Sequence, residues 1–178
     1  MYSYDYNKGN LDELIDIIIE TNTRLFVSAV GIPPRSVVER LHQNGIVYMN
    51  MIGHPKHIQK CLDNDVDIIC AQGGEGGGHT GDIALSILIP TIASMLQGKK
   101  SRFTGVDIQL VAAGGVFNGQ SLASALALGA SAVWVGTRFL LSEEAGASKA
   151  HQEAVRTAGF DDNVRTLIFS VRACCSPR

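Results

Sequence analysis

The chain has 178 residues and a mass of 19.0 kDa, room for one sizeable core rather than two. Fifteen Lys and Arg against 17 Asp and Glu leave a net charge of −2, which excludes a general basic field for nucleic acid and a polybasic stripe for an anionic membrane. The longest apolar stretch, Ile83 to Leu96, is too short to span a bilayer and carries Pro90.

In chain order, Asn10 is placed to cap a helix over LDELIDIIIET, whose apolar positions share one face. LFVSAV (Leu25 to Val30) reads as a fully buried strand, stopped by Gly31, Pro33 and Pro34. A helix over Arg35 to Gln43 ends at Gly45, a residue suited to a helix C-terminus. Strand Ile46 to Met51 and helix Pro55 to Asn64 repeat the pattern, with proline in the first turn. Strand Val66 to Gln72 leads into the loop GGEGGGHTG, and Pro90 is expected to open a helix over TIASMLQG. Strand Ile108 to Ala113 ends in Gly114–Gly115, Ser121 is expected to cap a helix running to Gly129, and Ser131 to Gly136 is the last strand. One or two helices follow, to about Ala158.

Five strand–helix units with doubly apolar strands imply a parallel sheet in an α/β fold. Two architectures satisfy that pattern: an open doubly wound sheet of flavodoxin type, or a consecutive arc of an eight-stranded barrel. Periodicity does not choose between them. Cys61 and Cys70 fall in apolar segments and Cys174–Cys175 in a polar tail, so the four cysteines make no disulfide framework. No zinc-ligand spacing is present, so no metal is expected. The start, MYSYDYNKGN, has no signal-peptide core, and the chain reads as a reduced, cytoplasmic protein.

In GGEGGGHTG, Gly76, Gly78 and Gly81 formally satisfy a dinucleotide fingerprint, but no Asp or Glu lies between Ile83 and Val106 to meet a ribose. The glycines instead let backbone come close to something flat or bulky, at the carboxyl end of a parallel strand where α/β proteins bind ligands. Gln72 brings an amide that both donates and accepts, suited to the edge of a heterocycle. His79 is the candidate base for a carbon or oxygen acid, and Glu75 is an orienting acid rather than a second catalytic group. Gly114–Gly115 and Gly136–Thr137 end neighbouring strands with small residues and exposed amides, which together suggest a phosphate site without lysine. Arg138 would assist that site or form a salt bridge.

Three stretches, VDIICAQGGEGGGHTG, LVAAGGVFNGQSLASALALGASAVWVGTRFLLSEEAGA and DDNVRTLIF, resemble the nitronate monooxygenase family, also called 2-nitropropane dioxygenases. LFVSAVGIPP and MIGHPKH are similar to the same family, so the likeness runs from Leu25 to Phe169. It implies a flavoprotein on a (β/α)8 TIM barrel that binds FMN and oxidises alkyl nitronates with O2 to carbonyl compounds and nitrite. By the same resemblance, Gln72 and Gly77 contact the flavin, and Gly114, Gly115, Trp134, Val135, Gly136 and Thr137 hold its phosphate. His79 matches the family's histidine, the base on neutral nitroalkanes. His54 and Lys56 are either anion-stabilising groups or simply the start of a helix.

The resemblance also implies that these five strands are the fourth to eighth of the barrel. Residues 1–169 would be the C-terminal part of one FMN-binding domain and 170–178 a divergent tail. The chain would then be a fragment, splice variant or gene-model product of a longer enzyme. A barrel lacking three strands leaves two open edges and an exposed apolar lumen, which a homo-oligomer would cover. Two other functions compete: an FMN-dependent enoyl-acyl-carrier-protein reductase on the same fold, and a non-catalytic barrel remnant.

Overall fold

The computed structural model describes residues 9–29, 31–166 and 174–177, the last four as backbone. Helix α1 (Leu11–Glu20) precedes β1 (Leu25–Ser28), α2 (Arg35–Gln43) and β2 (Val47–Ile52). A 3-10 turn (Pro55–His57) runs into α3 (Ile58–Asp63), followed by β3 (Ile68–Gln72), the short β4 (Gly78–His79) and α4 (Leu85–Leu96). Then come β5 (Gln109–Ala113), α5 (Gly119–Ala127), β6 (Ala132–Trp134) and a 3-10 turn over Thr137–Leu141. The elements end with α6 (Lys149–Thr157), β7 (Asn163–Thr166) and β8 (Cys174–Pro177).

The main sheet has the order β1-β2-β3-β5-β6, every pair parallel. A doubly wound sheet reverses its strand order at a switch point and carries helices on both faces. Here the order never reverses. The outer face joins Tyr48, Ile69, Ala71, Leu110 and Ala112 to helix residues such as Val38, Cys61, Leu88, Ile92 and Ala125. The inner face is made by strands alone: Met49, Cys70 and Ala113, flanked by Val27, Met51, Ile68 and Val111. A singly wound sheet with one helix-free face is an arc of a (β/α)8 barrel, five strands of it.

Several elements depart from expectation, each for a local reason. β1 is not fully buried: it is an edge strand with one neighbour, its residues are exposed or half-buried, and Val30 lies outside the described residues. The lumen is not simply exposed either, because Met49, Cys70 and Ala113 are buried in the hollow of the curled sheet. The open faces are at the flanks, at Leu25 beside one edge and Trp134 on the other.

Pro90 does not open α4 but sits inside it, the helix starting five residues earlier at Leu85. An interior proline costs about 3 kcal/mol, whereas burying Leu88, Ile89, Ile92 and Leu96 contributes about 1.5–3 kcal/mol each, so packing prevails. Ser121 does not cap α5. The cap is Asn118, whose side chain accepts from the Ser121 N–H at 2.8 Å, with the Ser121 hydroxyl reaching back to the Asn118 N–H at 3.0 Å. Asn10 stands at the start of α1 without a side-chain capping bond, its carbonyl accepting from the Leu14 N–H at 3.1 Å. Gly45 does follow α2, with φ +74°.

At the amino ends of the strands, Asp67 is only 3% exposed. Its carboxylate accepts from the Tyr48 N–H at 2.7 Å and the Ser101 hydroxyl at 2.5 Å, and His42 Nε2 lies 2.9 Å away. Since a carboxylate only accepts, Nε2 carries the hydrogen. The His42 ring stacks on Phe103 with centroids 4.4 Å apart. These bonds tie β2, β3, α2 and the 99–107 loop at the face that stabilises such barrels.

Asp67→Ala strands three polar groups and is expected to lower stability by about 3 kcal/mol in urea denaturation; a loss under about 1 kcal/mol would show that the carboxylate does not hold this face. Burial pushes the Cys61 thiol up to about 11, partly offset by Lys60, and the Cys70 thiol up to about 12. Their contribution is complete below the ordinary thiol value and is lost as pH rises towards those values. The melting temperature is therefore expected to fall between pH 9 and 11 less steeply in Cys61→Ala/Cys70→Ala than in the parent chain.

Candidate functional site

The carboxyl ends of β3, β5 and β6 carry the glycine-rich turns. The ladder continues one step beyond β3, with the Gly73 N–H donating to the Ala113 carbonyl at 2.8 Å. The chain then folds over itself: the Gly74 N–H donates to the Ile83 carbonyl at 2.8 Å and the Gly76 N–H to the Gly73 carbonyl at 3.1 Å. Gln72 Nε2 donates to the Gly77 carbonyl at 3.3 Å. One amide hydrogen that could address a ligand is thus spent on the loop's own backbone, leaving the rest of the group's donor and acceptor capacity.

Glu75 is an orienting acid. Both carboxylate oxygens lie 3.1 Å from the Leu85 N–H, the first of α4, where a negative charge also meets the helix dipole.

Glycine is required here mostly because backbone lies on backbone. Gly114 has φ +85°, and a Cβ there would stand 2.7 Å from the Gly73 carbonyl oxygen. A Cβ on Gly81 would meet the carbonyl oxygen of Gly53, in the turn after β2. The loop is therefore wedged between the turns that follow β2 and β5. Gly77 lies against β6's side, a Cβ there standing 3.2 Å from Thr137 Oγ1. Among the described residues, a Cβ at Gly78 or Gly136 would meet nothing within 4 Å.

Gln72, Gly77, Gly114 and Thr137 are thereby brought together. Gly115 joins them through Glu75, whose Cβ would be 3.2 Å from a side chain at that position. Trp134 pairs in register with Ala113 and is 41% exposed, and Val135 and Gly136 continue from it into the 3-10 turn that Thr137 begins. His79 is exposed on β4, at the rim of this cluster. His54 is a helix-start residue, its Nδ1 accepting from the Lys56 N–H at 3.0 Å. Arg138 lies in the 3-10 turn and forms no ion pair with a carboxylate among the described residues. No group of three or more His, Cys, Asp and Glu among the described residues is arranged to hold a metal ion.

Sequence reasoning missed the small sheet that covers this end. β8 pairs antiparallel with β7 on one side and with β4 on the other, giving the order β4-β8-β7. It also missed Arg165 on β7. The guanidinium donates to the Gly81 carbonyl at 2.8 Å and to the Gly74 carbonyl and Thr80 hydroxyl at 3.4 Å, and pairs with Asp82. The one available signal was the alternation Val164-Arg165-Thr166, too short to read as a strand. Of the tail expected at 170–178, residues 174–177 form β8, and 170–173 and 178 lie outside the described residues.

The family model for nitronate monooxygenase matches residues 3–175. The chain belongs to the nitronate monooxygenase family. It is 32% identical over 168 residues to a Staphylococcus saprophyticus protein named "Probable nitronate monooxygenase", covering 92% of this chain and 46% of that one. It is 36% identical over 148 residues to the (3aS,4S,5R,7aS)-5-hydroxy-7a-methyl-1-oxo-octahydro-1H-indene-4-carboxyl-CoA dehydrogenase of Rhodococcus jostii, covering 83% of this chain and 39% of that one. Among solved structures, a nitroalkane oxidase from Streptomyces ansochromogenes superposes with a TM-score of 0.81 at 28% identity, over 94% of this chain and 48% of that chain. FabK from Thermotoga maritima superposes with a TM-score of 0.80 at 26% identity, over 96% and 51%. The chain thus spans about half the length of the proteins it matches, or less. Among the described residues, no helix of this family member is long and apolar enough to cross a membrane.

Two substitutions separate close packing from backbone strain. Gly114→Ala meets both and is expected to cost about 3 kcal/mol or more, whereas Gly78→Ala, with φ +73° in open space, is expected to cost only about 1 kcal/mol. Equal losses in urea denaturation would show that the loop does not rest on the β5 turn.

Proposed function

We propose that the chain carries the flavin and nitronate-handling end of an FMN-dependent nitronate monooxygenase. The observation that carries this reading is the convergence of three adjacent strand ends: Gln72 bonded to the Gly77 carbonyl, Gly77 against Thr137, and Gly114 against Gly73. The residues fit a flavin phosphate. Among the described residues, Gly136 leaves open space at the start of a turn whose first amides have no acceptor within the turn.

In this reading Gly114, Gly115 and Trp134 to Thr137 hold the phosphate, and Gln72 and Gly77 face the ring. Bound FMN supplies the electron acceptor and the route to O2. A nitronate is already a carbanion equivalent and needs no base. A neutral nitroalkane must first lose its α-proton, and His79 takes it at an imidazole nitrogen.

The likeness to FabK favours a second reading, an FMN-dependent enoyl-thioester reductase on the same site. A third outcome is a barrel piece that binds no flavin.

The purified chain, mixed with FMN and gel-filtered, is expected to keep flavin absorbance and to release nitrite from propionate 3-nitronate. His79→Ala is expected to slow turnover of neutral nitroethane by about 100-fold or more while sparing the preformed nitronate. Equal slowing of both substrates would remove His79 as the base. NAD(P)H-dependent reduction of an enoyl thioester without nitrite release would support the second reading, and a colourless protein the third.

A further inference from the structure

The 74–81 segment contains Gly77 and His79, yet five of its eight residues are glycine, and glycine holds no conformation by itself. Something must define its path. β4 supplies part of the answer, because Gly78 and His79 pair with the β8 backbone. That pairing fixes the middle of the segment; the Gly74 N–H bond to the Ile83 carbonyl and the packing of Gly81 on Gly53 hold each end separately but do not tie one end to the other.

Arg165 reaches both ends at once. One nitrogen lies 3.4 Å from the Gly74 carbonyl oxygen and 2.8 Å from the Gly81 carbonyl oxygen, with the Thr80 hydroxyl also at 3.4 Å, and the other nitrogen pairs with Asp82. The register places the same residue opposite Cys175, whose other neighbour is Gly78. β7 therefore grips the segment twice, through β8 at the backbone and through one planar cation directly. Asp82 is largely exposed, so its charge pairing is of little worth on its own. The geometry that matters is one terminal nitrogen held between two carbonyls seven residues apart while the second nitrogen, on the Asp82 side-chain oxygen, fixes the plane of the group; an ammonium on the shorter lysine stem has no second nitrogen to do so.

We propose that Arg165 is a positioning residue that staples the two ends of the 74–81 segment and so sets where Gly77 and His79 stand. Its consequence for flavin rests on the function proposed above, whereas the stapling itself does not.

The test uses the whole chain and two readouts. Without flavin, hydrogen–deuterium exchange of the 74–81 amides is expected to speed up on the order of tenfold or more in Arg165→Ala, with β2 unchanged. Arg165→Lys should fail to restore protection, and Asp82→Asn should keep it, because the carbonyl contacts survive that change. A plain surface ion pair predicts the reverse: rescue by lysine and opening in Asp82→Asn. With flavin, the FMN dissociation constant is expected to rise on the order of tenfold in Arg165→Ala and Arg165→Lys but not in Asp82→Asn. Unchanged exchange in Arg165→Ala, or the ion-pair pattern, overturns the proposal. If the parent chain binds no FMN while exchange follows the expected pattern, the FMN reading falls and the staple stands.

Discussion

Backbone packed directly on backbone is the constraint on which the carboxyl end of this sheet depends. The Gly73 to Gly81 loop passes between the Gly53 turn and the Gly114 turn, at distances that no Cβ would tolerate. Three strand ends are thereby locked into one surface, with the Glu75 and Gln72 side chains filling the gaps at Gly73, Gly115 and Gly76. The gain is a rigid platform from residues that are individually the least rigid. The cost is conformational entropy, since each glycine loses more freedom on folding than any other residue. Glu75 on the start of α4 and Arg165 on both ends of the loop are the two charged groups that offset it.

The same division explains what could be read in advance. Runs such as IICAQ and QLVAA announce strands because their apolar side chains serve two faces, and Gly45 announces a helix end because only its φ is at issue. Local rules failed where tertiary packing outweighed them. Pro90 stays inside α4 because Leu88, Ile89 and Ile92 are worth more in the core than one lost backbone bond. β1 looked buried because LFVS is apolar, yet exposure depends on how many neighbours a strand has, which no local pattern records. The choice between open sheet and barrel arc required the strand order and the helix-free inner face.

The candidate site divides in a similar way. Gln72, the glycines and Thr137 were legible because their chemistry is concentrated in two short stretches. Arg165 was not, because its partners lie 83 to 91 residues earlier and it is one arginine among many that end in surface pairs. The glycines were legible from their clustering at a strand's carboxyl end, which does not tell what lies against them. Read as space for a ligand, several of them are space for another piece of backbone. Gly78 and Gly136 remain open.

That distribution of open and filled glycines bears on where a ligand would be held most firmly. The groups proposed to face the ring belong to β3, which has a neighbour on each side, and to a loop contacted from β7. The groups proposed to face the phosphate follow β6, which among the described residues pairs with β5 alone and carries the half-exposed Trp134. In a closed barrel a strand in that position has a second parallel neighbour, which restrains its turn as well as covering its inner face. Here, among the described residues, the Gly136 turn is held by β5, by Thr137 lying against Gly77, and by α6, whose Gln152 Nε2 donates to the Leu140 carbonyl at 3.0 Å. The two halves of the candidate site are thus held by different elements, the His79 loop by β7 and β8 and the Gly136 turn by β5, α6 and Gly77. In the function proposed above, a change at the β6 edge would therefore reach the phosphate-facing groups before it reaches His79, which stands on the other side of Gly77.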